Sequence, residues 1–327
     1  MKRFLVILFW ILSLVIVTIY VYENPERIDV LKYYFKANIQ TEIKSEKEPI
    51  QKVPGNSFLV EFSKEISLSE RTAFIVHDEN IKDFNEDNLK IYTQNGNVLK
   101  NFKSEKINLP SVFTTEKNGG VKTVFIYNNK EYALISSFKN ECYYASIVLL
   151  NSGRELFKTK CLPDNKKIDY NGLGSSHIHY NDKIYLSIGA PEQASSQIRE
   201  LAQNQNSVFG KIIEINTDGL EKIIKNEKDN NLEVKIFTLG HRNPQGFTKI
   251  NEHFFSVEHG PRGGDELNKI LKNKNYGWPK VSYGTKYSYD DNAQAYEISH
   301  ENNQFEEPLF ALVPSIGISA LNVCPSI

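Results

Sequence analysis

The residues best equipped for chemistry crowd into one stretch, SVEHGPRGGDELNKILKNKNYGWPKV, from Ser256 to Val281. Gly260, Gly263 and Gly264 surround Pro261, Asp265 and Glu266 follow at once, and the stretch closes on Asn275-Tyr276-Gly277-Trp278-Pro279. Glycines let a chain bend sharply and let another group approach the backbone closely. Carboxylates beside such a bend add charge. For Gly263, Gly264 and Trp278 the plain alternative is turn and core chemistry. Upstream, His177 and His179 are two residues apart and therefore share a strand face. They read either as two sheet histidines or as chemistry in waiting, although nothing at metal-ligand spacing accompanies them.

These residues sit among short runs that alternate with period two. In KIYLSIG, Ile184, Leu186 and Ile188 share one face while Lys183, Tyr185 and Ser187 share the other, which is strand spacing. Similar runs are SFLVEF (57–62), VKTVFIY and EYALIS on either side of Asn128-Asn129-Lys130, KIIEIN (211–216), VKIFTLG (234–240) and HFFSVE (253–258). Helical spacing is nearly absent. It occurs in EQASSQIRELAQ, where Ala194, Ile198, Leu201 and Ala202 predict a helical insertion on a loop. Many short antiparallel strands fit a sandwich, a barrel or a propeller, and periodicity does not choose among them.

Before the strands, Met1-Lys2-Arg3 precedes an uncharged run from Phe4 to Tyr22. About 20 apolar residues suffice to span a bilayer as a helix. No small-x-small cleavage site follows, so residues 4–22 read as an uncleaved transmembrane signal anchor, with a cleaved signal as the alternative. The positive-inside rule keeps residues 1–3 cytoplasmic and carries the rest across the membrane, making an inner-membrane-anchored, periplasmic protein. Residues 23–56, rich in Glu, Lys and Asn, read as a tether, and 57–327 as one large domain. Lys plus Arg number 39 and Asp plus Glu 40, interspersed, so the chain lacks the basic footprint of a nucleic-acid binder. Cys142 and Cys161 flank two strand-like runs meeting at Asn151-Ser152-Gly153-Arg154. A disulfide and two unpaired core thiols are both open there, and Cys324 is left over. Oligomeric state is not legible.

Three segments narrow the fold: TLGHRNPQGF (238–247), EHGPRGGDELN (258–268) and KNYGWP (274–279). In this order and spacing they resemble the glucose/sorbosone dehydrogenase family, the soluble quinoprotein aldose sugar dehydrogenases. The resemblance covers roughly residues 170 to 320 and is faint from 57 to 169. It implies an all-β, six-bladed β-propeller carrying pyrroloquinoline quinone (PQQ) and calcium in a pocket on its top face. Calcium takes six to eight oxygen ligands, backbone carbonyls among them, and main chain grips a hard ion where it bends sharply. By this resemblance Gly260 and Pro261 match the carbonyls that hold the cofactor's calcium, and Asp265 supplies charge or orientation at that metal. Arg242 matches the arginine facing the quinone, where a guanidinium stabilises negative charge on a reduced carbonyl. Asn243 and His259 are the other cofactor contacts expected in these segments.

The chain also departs from the family. Aligning NGLGSSHIHYNDKIYLSIGA on the family pattern puts Asn171 where the catalytic histidine base stands and Ala190 where its orienting aspartate stands. Losing both together implies that hydride abstraction is not carried out in the family's way, with His177 or His179 as candidate replacements. The closing run FEEPLFALVPSIGISALNVCPSI resembles the start of the family's closing region and ends in an apolar stretch. The expectation is a propeller incomplete at its C-terminal blade. Two functions follow from the resemblance: a PQQ-dependent oxidoreductase acting on a sugar-like alcohol or aldehyde, or a catalytically inactive propeller that binds a glycan, a protein or calcium.

Overall fold

Period-two alternation becomes antiparallel sheet throughout the computed structural model, which describes residues 72–77, 89–100, 103–163, 168–191, 196–226, 231–286 and 296–323. The expected anchor (4–22), the tether (23–56), the run 57–62 and Cys324 lie outside the described residues. Among the described residues no helix is long and apolar enough to cross a membrane.

Among the described residues sixteen strands form four sheets of four, each an antiparallel meander. The first holds β1 (Thr72–His77), β2 (Leu89–Thr93), β3 (Asn97–Lys100) and β4 (Lys103–Lys106). The second holds β5 (Val121–Tyr127), β6 (Lys130–Lys139), β7 (Cys142–Leu149) and β8 (Arg154–Lys158). The third holds β9 (His177–Tyr180), β10 (Lys183–Ile188), β11 (Lys211–Asn216) and β12 (Lys235–Leu239). The fourth holds β13 (Pro244–Ile250), β14 (His253–Glu258), β15 (Asp265–Ile270) and β16 (Phe310–Leu312). β1 neighbours β5, and β9 neighbours β13, so first strands meet first strands as blades do around an axis. The arrangement is that of an all-β propeller, with four blades among the described residues.

Two-residue hairpin turns set the register. Tyr127 pairs with Lys130, and Asn128 and Asn129 between them take φ values of 49° and 58°. Two successive positive φ angles give the turn whose twist matches paired strands, and asparagine tolerates that region better than most residues. Asn181 and Asn251, with single positive φ values of 54° and 52°, open the two-residue β9–β10 and β13–β14 turns.

The core lies in the seams between sheets. Ile184, Leu186 and Ile188 pack with Phe125, Leu134 and Ile147 of the second sheet, while Tyr185 packs with Phe247 and Phe254 of the fourth. Both faces of the third sheet are thus covered, each by one half of the alternation read in KIYLSIG. Among the described residues two α-helices interrupt the strands. α1 (Ser196–Glu200) falls in the expected insertion and buries Ile198, with Ala202 buried just beyond it. α2 (Thr217–Lys225) was not foreseen; Asn216 caps its first turn, and Leu220 and Ile223 enter the seam. Of the two cysteine readings the structure adopts the disulfide, Cys142–Cys161, with Cα atoms 5.4 Å apart.

Candidate functional site

The approach to β13 and the β14–β15 connection lie side by side because Pro244 pairs with Glu258 across the ladder. That pairing sets Arg242 and Asn243 against His259 and Gly260. The His259 N–H donates to the Asn243 carbonyl at 3.1 Å. The Arg242 guanidinium donates through Nη1 to the His259 carbonyl at 2.7 Å and lies 5.3 Å from the centre of the Trp278 ring. Trp278 is fixed in turn, since its N–H donates to Gly240 O and its carbonyl accepts from the Gln203 amide. Gln203 and Asn275 also exchange side-chain hydrogen bonds, which docks the segment after α1 onto NYGWP.

The loop 260–264 needs its glycines for close packing. A Cβ on Gly260 would stand 2.1 Å from Gly264 O and 2.3 Å from Gly263 O, which no side chain can do. Gly264 adopts φ +67°, a region that L side chains rarely enter. The Gly260 N–H donates to Asp265 Oδ1, and Asp265 Oδ2 accepts from the backbone amides of Ile316, Gly317 and Ile318. Burial pushes the Asp265 carboxyl up, but the Ser315 hydroxyl and these amides outweigh it and hold it below the ordinary value. Both oxygens are therefore engaged in shaping the loop rather than free to grip an ion directly.

The position expected for the base and the one expected for its orienter converge on the same strand ends. Asn171 is exposed in a single 3-10 turn (Tyr170–Gly172) capped by Asp169, which accepts from its N–H at 2.8 Å and from its side-chain amide at 3.4 Å. A Cβ on Gly189 would stand 2.2 Å from Gly172 O, and the next residue, Ala190, donates its N–H to Arg242 O. The two histidines turn elsewhere. His177 lies against Phe125 in the seam with the second sheet, and the exposed His179 meets Tyr127 edge-on. Burial, with a lesser push from His179, lowers the His177 pKa to about 4.

Under Arg242 lies a polar network that sequence reading missed. Glu258, 3% exposed, accepts from the Arg242 N–H at 2.7 Å, from His241 Nδ1 at 3.0 Å and from Asn268 Nδ2 at 2.9 Å. Burial pushes Glu258 up, but His241 and Arg242 outweigh it and leave the carboxyl below the ordinary range. Glu266, paired with Glu258 across β14 and β15, is pushed well above it by burial and by the Glu258 charge. The available signal was a polar residue at a buried alternate position of HFFSVE.

A hard cation fits this loop. Among the described residues no hydrogen bond is donated to the carbonyls of Gly260 or Pro261. Among the described residues the buried His259 Nε2 has no hydrogen-bond partner, an arrangement that implies a missing one. Among the described residues no group of three or more His, Cys, Asp or Glu side chains is placed to hold a metal. A cation here would rest on carbonyl oxygens, with an anionic group beside it meeting Arg242.

Comparison with known proteins places the chain in a family. The family profile described as Glucose / Sorbosone dehydrogenase matches residues 89–326. The chain belongs to the glucose/sorbosone dehydrogenase family. It is 40% identical over 120 residues to quinoprotein glucose dehydrogenase B of Acinetobacter calcoaceticus, covering 36% of this chain and 24% of that protein. It is 37% identical over 113 residues to an aldose sugar dehydrogenase of Escherichia coli, covering 33% of this chain and 29% of that protein. These alignments thus span less than a third of either relative's length. A crystal structure of a glucose dehydrogenase superposes with a TM-score of 0.54 at 21% identity, covering 76% of this chain and 74% of that one, a likeness of fold.

Proposed function

We propose that this protein is a PQQ-dependent sugar dehydrogenase-like quinoprotein that acts on a sugar-type alcohol or aldehyde, with calcium held at the 259–265 loop and the family's base and orienter replaced by Asn171 and Ala190. The observation that carries the reading is the Arg242 guanidinium bonded to the His259 carbonyl beside the carbonyls of Gly260 and Pro261, to which no hydrogen bond is donated among the described residues. When bound, the quinone would supply the hydride acceptor. Arg242 would then pair with the cofactor's negative charge, Gly260 and Pro261 would direct their carbonyls at calcium, and Asn243 and His259 would line the same wall. Asp265 would hold the loop in shape from beneath.

Asn171 has no group that takes a proton near neutral pH, and Ala190 has none to orient one. Lost general-base catalysis typically costs about a hundredfold to ten-thousandfold in rate. The pair of substitutions therefore favours slow turnover, and it is the specific ground for the second reading, a propeller that retains the cradle and binds a glycan, a protein or calcium without oxidising sugars. The aromatic contacts of His177 and His179 speak against either as a substitute base.

The proposed setting is a propeller of the six-bladed type to which 57–327 belong, tethered by 23–56 to an inner-membrane anchor at 4–22, with 1–3 in the cytoplasm and the propeller in the periplasm. The Cys142–Cys161 disulfide supports an oxidising compartment. Reconstitution of the full chain with calcium and PQQ, followed by a dye-linked assay over a panel of aldoses, tests the function. Calcium-dependent quinone binding with slow oxidation is expected, binding without oxidation selects the second reading, and a folded sample that binds neither overturns both cofactor assignments. A mature N-terminus beyond Asn24 would overturn the anchor.

A further inference from the structure

We infer that Glu258 is the positioning residue for Arg242, and this rests on the reading of Arg242 as the cofactor-facing arginine. Two consecutive residues hold Arg242 at both ends. The Glu258 carboxylate accepts from its backbone N–H at 2.7 Å, and the carbonyl of the next residue, His259, accepts from its guanidinium at 2.7 Å. Because Glu258 and His259 are adjacent, the carboxylate that anchors the backbone of Arg242 also fixes the peptide to which the side chain is bonded.

The chemistry calls for a carboxylate. Three N–H donors converge on Glu258: those of Arg242, His241 and Asn268. Both oxygens of an ionised carboxyl accept, whereas a glutamine offers one oxygen and turns an N–H₂ group toward the remaining donors. The His241 ring is itself clamped, with Nε2 2.9 Å from Thr238 Oγ1 and its face stacked on Tyr276. It cannot swing aside to suit an amide. Glu266 is an internal comparison: it lies across the ladder from Glu258 and shares the Asn268 amide, yet has no hydrogen bond to Arg242 among the described residues.

Trp278 provides a readout in the full chain without cofactor, since the guanidinium of Arg242 lies over its ring at 5.3 Å. The other tryptophan, Trp10, contributes equally in every variant. Glu258→Gln, Arg242→Ala and the double variant are compared by Trp278 emission and its quenching by iodide, by unfolding temperature, and by PQQ affinity in the presence of calcium. Glu258→Gln is expected to shift the Trp278 signal toward that of Arg242→Ala and to weaken PQQ about tenfold. The double variant should go no further than Arg242→Ala alone, the signature of two residues acting as a unit. Glu214→Gln, whose carboxylate pairs with Lys183 outside this network, should leave the Trp278 signal and PQQ affinity as in the unmodified protein.

If Glu258→Gln lowers only the unfolding temperature, with Trp278 and PQQ affinity unmoved, Glu258 is a structural core residue and the inference fails. Should Glu258→Gln not fold, Glu258→Asp keeps the charge while drawing it back by one methylene, and the same coupling to Arg242 must appear there. If the unmodified protein does not bind PQQ, the functional reading fails, while coupling at Trp278 still decides the role of Glu258.

Discussion

Ala190 donates its backbone N–H to the carbonyl oxygen of Arg242 over 2.8 Å. The position expected to carry the base's orienter is thus wired to the residue expected to face the cofactor. Asn171 stands on the turn whose Gly172 carbonyl packs against Gly189, one residue before Ala190. The two positions that the resemblance assigns to base and orienter are thus joined through adjacent backbone contacts.

Restoring those groups should restore rate. Asn171→His with Ala190→Asp is expected to raise turnover of an aldose in the dye-linked assay, and each change alone should do less because base and orienter act together. Ala190 is buried, so Ala190→Asp without its partner should also lower stability by about 1–3 kcal/mol, measured by denaturant unfolding.

Asp265→Asn should loosen the 260–264 loop, weakening calcium binding in calorimetry. The folded carboxyl is held below its ordinary value, first against the push of burial, by the Ser315 hydroxyl and the surrounding amides. Such a group stabilises the fold at neutral pH, and that contribution is lost as pH falls below about 4. The acid limb of a stability profile should therefore be shallower in Asp265→Asn than in the unmodified protein.

Lys211 behaves in the opposite sense. Its ammonium is fully buried and donates to the carbonyls of Leu201, Ala202 and Phe209 at 2.8, 2.7 and 2.9 Å. Burial lowers its pKa from 10.5 to about 7. A base held down in this way costs stability in full below about pH 7, and the cost is relieved as pH rises toward 10.5. Unfolding free energy should gain a rising component across that window, and Lys211→Met should remove it.

Replacing Cys142 and Cys161 together by serine should cost about 3 kcal/mol, the expectation for a loop of this length, since 19 residues separate them. Thermal unfolding with and without reductant measures it, and the double variant should no longer respond to reductant.

What the sequence disclosed depended on how local each signal was. The Asn128-Asn129 and Asn181 turns announce hairpins within a few residues, and KIYLSIG displays both buried faces of its blade. GHRNPQG, HGPRGGDE and NYGWP were legible because their order and spacing travel together. α2 escaped because its cap, Asn216, ends a strand-like run and its buried face comes down to Leu220 and Ile223. The role of Glu258 was hidden because its partners come from two other segments, Arg242 and Asn268. Alternation correctly put His177 and His179 on one face, but only the packing of neighbouring blades could reveal Phe125 and Tyr127 as what that face meets.

Asp265 joins the cradle to amides 51 to 53 residues further along the chain. Those two segments therefore share one free energy. Any occupant that tightens the 260–264 loop must, by reciprocity, strengthen the docking of 316–318 by the same amount. Hydrogen exchange at the amides of Ile316, Gly317 and Ile318 would thus report occupancy of a loop to which they do not belong, and a change that frees those amides would raise the dissociation constant of a ligand they never touch.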